Sequence, residues 1–237
     1  MRRRVRRLDQ LLSSLGYCSR KDARALCAAG RVKQGDEVLD DASARVEGAK
    51  VTLDGEPLEF PDGLLVLLHK PVGVVCTHDS REGQRVYDLL PPRWQQRDPK
   101  VTTVGRLDKE TSGLLLVTDQ GALVQRLTSP KHHVEKTYVA TLDAEVRDEV
   151  VSAFQRGIDL REGNELERTE PATLKILGPR EAAVTVREGR YHQVRRMFAS
   201  QGLHVLTLHR THFGPWSLDA SLAAGQWRAL DLNQHAP

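Results

Sequence analysis

The chain has 237 residues, 39% apolar and 28% charged, enough for one large domain or a small one joined to a medium one. No stretch approaches the ~18–20 uninterrupted apolar residues of a membrane span, and the opening "MRRRVRR" leads into no apolar h-region, which argues against a secretory signal. The formal net charge is only +3, yet residues 1–35 carry ten cations against two acids, a local +8 that suits a polyanion, most simply nucleic acid.

"RLDQLLSSLG" places Leu8, Leu11, Leu12 and Leu15 at helical spacing, with Gly16 as a stop. Ser19 is a suitable N-cap for a second helix, "RKDARALCAA", whose apolar face is Ala23, Leu26 and Cys27 and which ends at Gly30. "RVKQGDEVL" and "KVTLDGEPL" read as hairpins turned at Gly35-Asp36 and Asp54-Gly55. Arg20, Lys21 and Arg24 fall on the helix side away from Leu26 and Cys27, with Arg31 and Lys33 at its exit. Such a row matches phosphates better than a merely solvated face, because no acids sit at i+4 to balance it. This unit ends near Phe60. "PDG" (61–63) is a short linker compatible with a hinge, so the first unit is expected to be mobile without its partner.

Beyond the linker, strand patterns cover 64–69, 101–104, 114–118, 136–142, 172–177, 182–187 and 203–209. Helix patterns cover 121–128, 146–156 and 191–201. The stretch 78–100, rich in Pro, Arg and Asp, reads as an irregular surface loop. Strands in hairpin order with few crossovers imply an α+β fold with a largely antiparallel mixed sheet flanked by helices. The domains are then 1–60 and 61–237. Cys18, Cys27 and Cys76 form no CxxC pair, as expected of reduced thiols in a cytoplasmic protein.

Three stretches carry candidate chemistry. In "VGRLDKETSGLLLVTD" (104–119) a polar turn precedes a core strand. Asp108 is in that turn, bracketed by Gly105 and Gly113 and two residues from Arg106. Turn aspartates are usually structural, but a group at the mouth of a rigid strand is also well held for reaction. In "EGRYHQVRRMFASQG" (188–202), Val194, Met197 and Phe198 form the buried face, leaving His192, Arg195 and Arg196 off it, and a Gly-led turn into a basic helix suits an anion. In "SPKHHVEKTYVATL", Tyr138 shares a strand face with Lys136 and Ala140.

Taken together, "GRLDKETSGLLLVT", "SPKHHVEKTYVATL" and "EGRYHQVRRMF" resemble the three signature regions of the RNA pseudouridine synthases. "HKPVG" (69–73) is similar to the family's Lys-Pro-x-Gly entry motif. The "SPKHH" run and the tail "HVLTLHRTHFGPWSLDASLAAGQWRAL" are most like the RsuA-type branch, which acts on small-subunit ribosomal RNA. Residues 7–53 resemble the S-four-like RNA-binding domain. Two departures stand out: His69 where Asn is common, and residues 1–6 ahead of the usual start.

The resemblance implies a monomeric, cytoplasmic isomerase. It would convert one uridine of 16S ribosomal RNA, free or in a pre-ribosomal small-subunit particle, with no cofactor, no metal and no membrane. Asp108 would be the catalytic aspartate, Tyr138 the surface on which the target base stacks, and Arg195 the cation paired with Asp108. Arg106 would fill the gap left by the everted nucleotide. Lys70, His192 and Arg196 would join Arg20, Lys21, Arg24, Arg31 and Lys33 in holding RNA. The alternatives within this reading are a 23S target and a catalytically silent assembly factor. A glycosidase pair of Asp108 with Glu110, and a histidine metal site at His204, His209 and His212 or at His132 and His133, fit the residues less well.

Overall fold

The computed structural model describes residues 5–162 and 165–232. The chain opens with β1 (Val5–Arg7), α1 (Leu8–Ser14), α2 (Arg20–Ala28), β2 (Val32–Gln34), β3 (Glu37–Val38), β4 (Arg45–Glu47), β5 (Val51–Leu53) and β6 (Glu56–Pro57). Leu8, Leu11, Leu12 and Leu15 close on Ala23, Cys27, Val32, Val46 and Val51 in one small core. The Ser19 hydroxyl accepts from the Asp22 backbone N–H and starts α2. Strands β5 and β6 turn at Asp54 and Gly55, both at positive φ (55° and 87°), the conformation a tight two-residue hairpin demands. One pairing was hidden by its basic sequence: β1 lies antiparallel to β4, with Arg6 opposite Val46.

From Leu64 onward a second architecture takes over. It comprises β7 (Leu65–Lys70), β8 (Thr102–Thr103), β9 (Thr111–Thr118), α3 (Gly121–Thr128), β10 (Lys136–Leu142), α4 (Asp148–Arg156), β11 (Asp159–Glu162), β12 (Glu165–Arg168), β13 (Thr173–Gly178), β14 (Glu181–Val186), α5 (Gln193–Ser200), β15 (Val205–Phe213), β16 (Trp216–Ser217) and β17 (Trp227–Ala229). The main sheet runs β13-β14-β10-β15-β9-β7-β17, with β8 on β9 and β16 on β15. Within this sheet, among the described residues, only β9 and β15 pair in parallel, so the sheet is mixed and largely antiparallel. The continuous apolar runs in β7 and β9 follow from burial on both faces. Val66, Leu68, Leu115 and Val117 pack beneath Tyr87 and Trp94, while Leu65, Leu67, Leu114 and Leu116 meet Leu123 and Leu127 of α3. A third core lies under α4 and α5, around Phe154, Met197 and Phe198.

The stretch 78–100 differs from the expected surface loop. It holds short 3₁₀ turns at Ser80–Glu82, Val86–Leu89 and Pro92–Gln96, and Val86, Tyr87, Leu90 and Trp94 are buried against the sheet. It also joins the two units. Asp98 N–H donates to Ser14 O at 2.9 Å and Arg93 Nη1 to Leu15 O at 3.0 Å. The Arg93 guanidinium lies 4.0 Å from the Tyr17 ring centre. Gly16 makes this approach feasible: at φ +78° its Cβ position would fall 2.6 Å from Arg93 O. The short linker is therefore backed by direct contacts, a connection that hydropathy does not encode.

Candidate active site

Asp108 sits in the turn ahead of β9, and the turn is gripped through its backbone. Thr111 N–H closes it on Asp108 O at 3.0 Å, and Gly73 N–H donates to Lys109 O at 2.8 Å. Lys70 extends beneath it. Its ammonium, fully buried, donates to Pro71 O at 2.9 Å and Thr111 O at 2.8 Å, and lies 3.4 Å from Lys109 O. Burial pushes its pKa down, partly offset by the nearby Cys76 thiol and the Asp108 and Glu110 carboxyls. This corrects the sequence expectation for Lys70. A side chain at zero exposure that is satisfied by main-chain carbonyls does not hold RNA; it positions the Asp108 turn.

Arg195 is corrected in the same direction. Its guanidinium donates from Nη1 to Val205 O and from Nη2 to Glu110 O, each at 3.0 Å, with no ion pair to Asp108 among the described residues. Glu110 lies one residue ahead of the β9 strand, where its carbonyl has no ladder partner, and a planar fork leaving α5 bridges it to β15. The cation-capable group nearest the carboxylate is instead His192, whose Nε2 is 3.4 Å from Asp108 Oδ1. His192 caps α5 in the left-handed region at φ 47°, an uncommon conformation for a residue other than glycine. Gln193 and Glu188 fix the loop around it: Gln193 Nε2 donates to Glu188 Oε1 at 2.6 Å and Arg190 N–H to Gln193 Oε1 at 3.0 Å.

Asp108, Arg106, Tyr138 and His192 border one cavity of about 220 Å³, which also meets Lys136 and Phe213. At about seven times a water's ~30 Å³ share of liquid, it has room for a ring-sized group. Arg106 is exposed at its mouth. The Asp108 side chain keeps 36% of its accessibility, open to an incoming group. Tyr138 rises from β10 with its ring on the cavity and Arg210 as its partner across the ladder. Arg196 is turned elsewhere, onto the carbonyls of Tyr191 and Arg161. These contacts tie α5 to β11.

In the first unit the basic face is partly neutralised. Arg31 pairs with Asp54 through two nitrogens, at 2.7 and 2.6 Å, and Arg20 reaches Asp9 at 3.2 Å. Lys21, Arg24 and Lys33 are exposed and make no side-chain ion pair or hydrogen bond among the described residues. No acid stands at i+4 on the helix, but the fold supplies Asp54 from the β5–β6 turn and Asp9 from α1. Among the described residues no three His, Cys, Asp or Glu side chains gather as metal ligands, so His204, His209 and His212 do not converge. His209 instead shares a 2.9 Å hydrogen bond with Ser112.

Arg210 and Thr111 were missed. Both are buried, at 2% and 1% exposure, and both border the cavity. The signal was present: in "TLHRTHF" an arginine takes the inward position two residues after Leu208, and a charged residue on a buried strand face is the informative exception.

Comparison with known proteins covers both parts of the chain. Residues 64–200 match the RNA pseudouridylate synthase family and residues 6–51 the S4 domain. The chain is 40% identical over 228 residues to the ribosomal small subunit pseudouridine synthase A of Escherichia coli (strain K12), covering 94% of this chain and 96% of that one. The protein of the same name from Vibrio cholerae is 38% identical, with 94% and 95% covered. A crystal structure of a pseudouridylate synthase superposes with a TM-score of 0.67 at 36% identity, covering 96% of this chain and 97% of that one.

Proposed function

Because the chain belongs to the RNA pseudouridylate synthase family, we propose that it converts one uridine of 16S ribosomal RNA into pseudouridine, with Asp108 as the reacting carboxylate. The observation that carries this reading is the meeting of Asp108 and Tyr138 on one ring-sized cavity with Arg106 at its mouth. The reaction breaks the N1–C1′ bond, turns the uracil and rejoins it through C5. Asp108 serves either as nucleophile at C1′ or as the base that takes the C2′ proton to give a glycal. In both routes the oxygens of Asp108 must face the ribose, and a grip on the turn's backbone leaves them free to do so. His192 lies beside the carboxylate, Arg195 positions the turn through Glu110 O, and Lys70 holds it from below.

The target base must leave its stack, at a few kcal/mol, least where RNA is unpaired or distorted. Tyr138 offers a flat face worth about 1–3 kcal/mol to a stacked base, and Arg106 supports the gap. Residues 1–60 act as the RNA-binding domain, with Lys21, Arg24 and Lys33 as its free cations, and residues 61–237 as the catalytic domain. The protein works as a cytoplasmic monomer on the RNA or on a small-subunit precursor particle. Pseudouridine mapping of both ribosomal RNAs from a strain lacking the gene, complemented with wild type or Asp108→Asn, tests this. One 16S pseudouridine should vanish, return with wild type and stay absent with Asp108→Asn. A 23S loss, or recovery with Asp108→Asn, refutes it.

A further inference from the structure

The cavity beside Asp108 contains two buried polar atoms that the protein leaves without partners. Arg210 is anchored at one end, where Nε donates to Leu114 O at 2.8 Å, and Nη1 lies 3.5 Å from the Tyr138 hydroxyl. Its guanidinium is packed between aromatic rings, 5.9 Å from the Tyr138 centre and 5.1 Å from that of Phe213. Its third nitrogen, Nη2, is buried with no hydrogen-bond partner among the described residues, and so is the Thr111 hydroxyl. The parallel register sets Thr111 opposite Leu208 and Gly113 opposite Arg210, so both side chains leave the same sheet face two positions apart. Gly113 permits this closeness, since a Cβ there would fall 2.2 Å from Arg210 O.

Buried donors and acceptors are nearly always satisfied, and an exception on a binding cavity wall is expected where a ligand completes it. A ring lying on Tyr138 turns its edge toward that residue's cross-strand neighbour, Arg210. Uracil presents acceptor, donor, acceptor along O2, N3–H and O4; cytosine presents acceptor, acceptor, donor. We propose that Arg210 and Thr111 read the target base: Nη2 donates to a uracil carbonyl, and the Thr111 hydroxyl accepts from N3–H. With Nη2 on O4, cytosine would oppose an amino group to the guanidinium, so Arg210 selects uracil, while the Thr111 hydroxyl, able to donate or accept, adds binding. This rests on the uridine-isomerase reading above and adds the residues that choose the base.

The test uses the full-length protein in single-turnover conversion of ribosomal RNA fragments bearing uridine, 2-thiouridine or 4-thiouridine at the mapped position, sulfur being the weaker acceptor. Wild type should be slowed by one of the two thio substitutions, and Arg210→Lys should lose that sensitivity. Thr111→Val removes an unsatisfied hydroxyl, so its Tm should hold or rise by roughly 2–6 °C. Its kcat/KM should nonetheless fall roughly 5- to 100-fold, the cost of leaving the buried N3–H without its acceptor. Equal thio sensitivity in wild type and Arg210→Lys overturns the proposal. So does Thr111→Val with full turnover, or with a lowered Tm and matching loss, which would make the hydroxyl structural. Should wild type convert no uridine in any fragment, it is the isomerase reading that fails.

Discussion

Replacing Lys70 with methionine separates a phosphate contact from a backbone clamp. The ammonium makes two good bonds, 2.9 Å to Pro71 O and 2.8 Å to Thr111 O, and a longer contact to Lys109 O. Hydrogen bonds from charged donors are worth about 1.5–3 kcal/mol each, so the two together hold about 3–6 kcal/mol gross. Methionine fills similar space and removes the penalty of burying a charge, which returns several kcal/mol but leaves two carbonyls unsatisfied. The net loss is about 1–3 kcal/mol, a fall in Tm of roughly 2–10 °C in a domain of this size. The catalytic effect should be larger, because misplacing a reacting group by about 1 Å lowers the rate on the order of 100-fold. RNA affinity, measured by titration across salt concentrations, should keep its slope. A phosphate-binding lysine behaves in the opposite way: the log–log salt slope drops by about 0.7 while Tm and the single-turnover rate at saturating RNA stay unchanged. That second pattern would refute the clamp.

Other perturbations address the remaining parts. Tyr138→Phe keeps the stacking face and should bind RNA within a few-fold of wild type. Tyr138→Ala should weaken binding to a fragment with the everted uridine by roughly 5- to 150-fold, from the loss of about 1–3 kcal/mol of stacking, read by fluorescence titration. Lys21, Arg24 and Lys33 changed together to alanine should reduce the salt slope by about 2, whereas Arg31→Ala, already neutralised by Asp54, should reduce it by less. Asp9 is held at a pKa of about 2 by the Arg7 guanidinium against the opposing effect of burial. Its folded value is below the unfolded one, so its stabilisation is full above about pH 4 and disappears as pH falls toward 2. Acid titration followed by circular dichroism should show that loss in wild type and a flatter curve in Asp9→Asn.

The fold was legible wherever local pattern and burial agree. The apolar runs of β7 and β9 announced strands because both faces are covered, and the leucine spacing of α1 announced a helix because one face is. β1 escaped because "VRR" carries cations on a strand whose pairing with β4 is set from 38 or more residues away. The hairpin β11–β12 escaped because its residues are mostly charged and exposed, with no alternation to read. Motif order located Asp108, Tyr138, Arg106 and His192 on one cavity, since those positions are tied to strand ends and helix starts. It misjudged what the long cations do. A lysine or arginine spans about 6–7 Å, and which oxygen it finds depends on strand ends brought together by the fold. Lys70, Arg195 and Arg196 all found carbonyls, while Arg31 and Arg20 found carboxylates from elements that the helix-spacing argument did not consider.

These cations share a consequence for catalysis. A guanidinium bound to the Asp108 carboxylate would steady it and also occupy the oxygens that must meet C1′ or C2′. Lys70 and Arg195 avoid that conflict, because both act on the main chain of the same short turn, one through Thr111 O and the other through Glu110 O. The turn is then rigid from two directions that are distant in sequence, while its carboxyl faces the cavity with His192 beside it. Rigidity in the backbone and freedom at the reacting atoms require different partners, and the chain assigns them to different groups. Substitution at either clamp should therefore lower kcat in common with the other and with less than additive effect, since each controls the placement of one carboxylate.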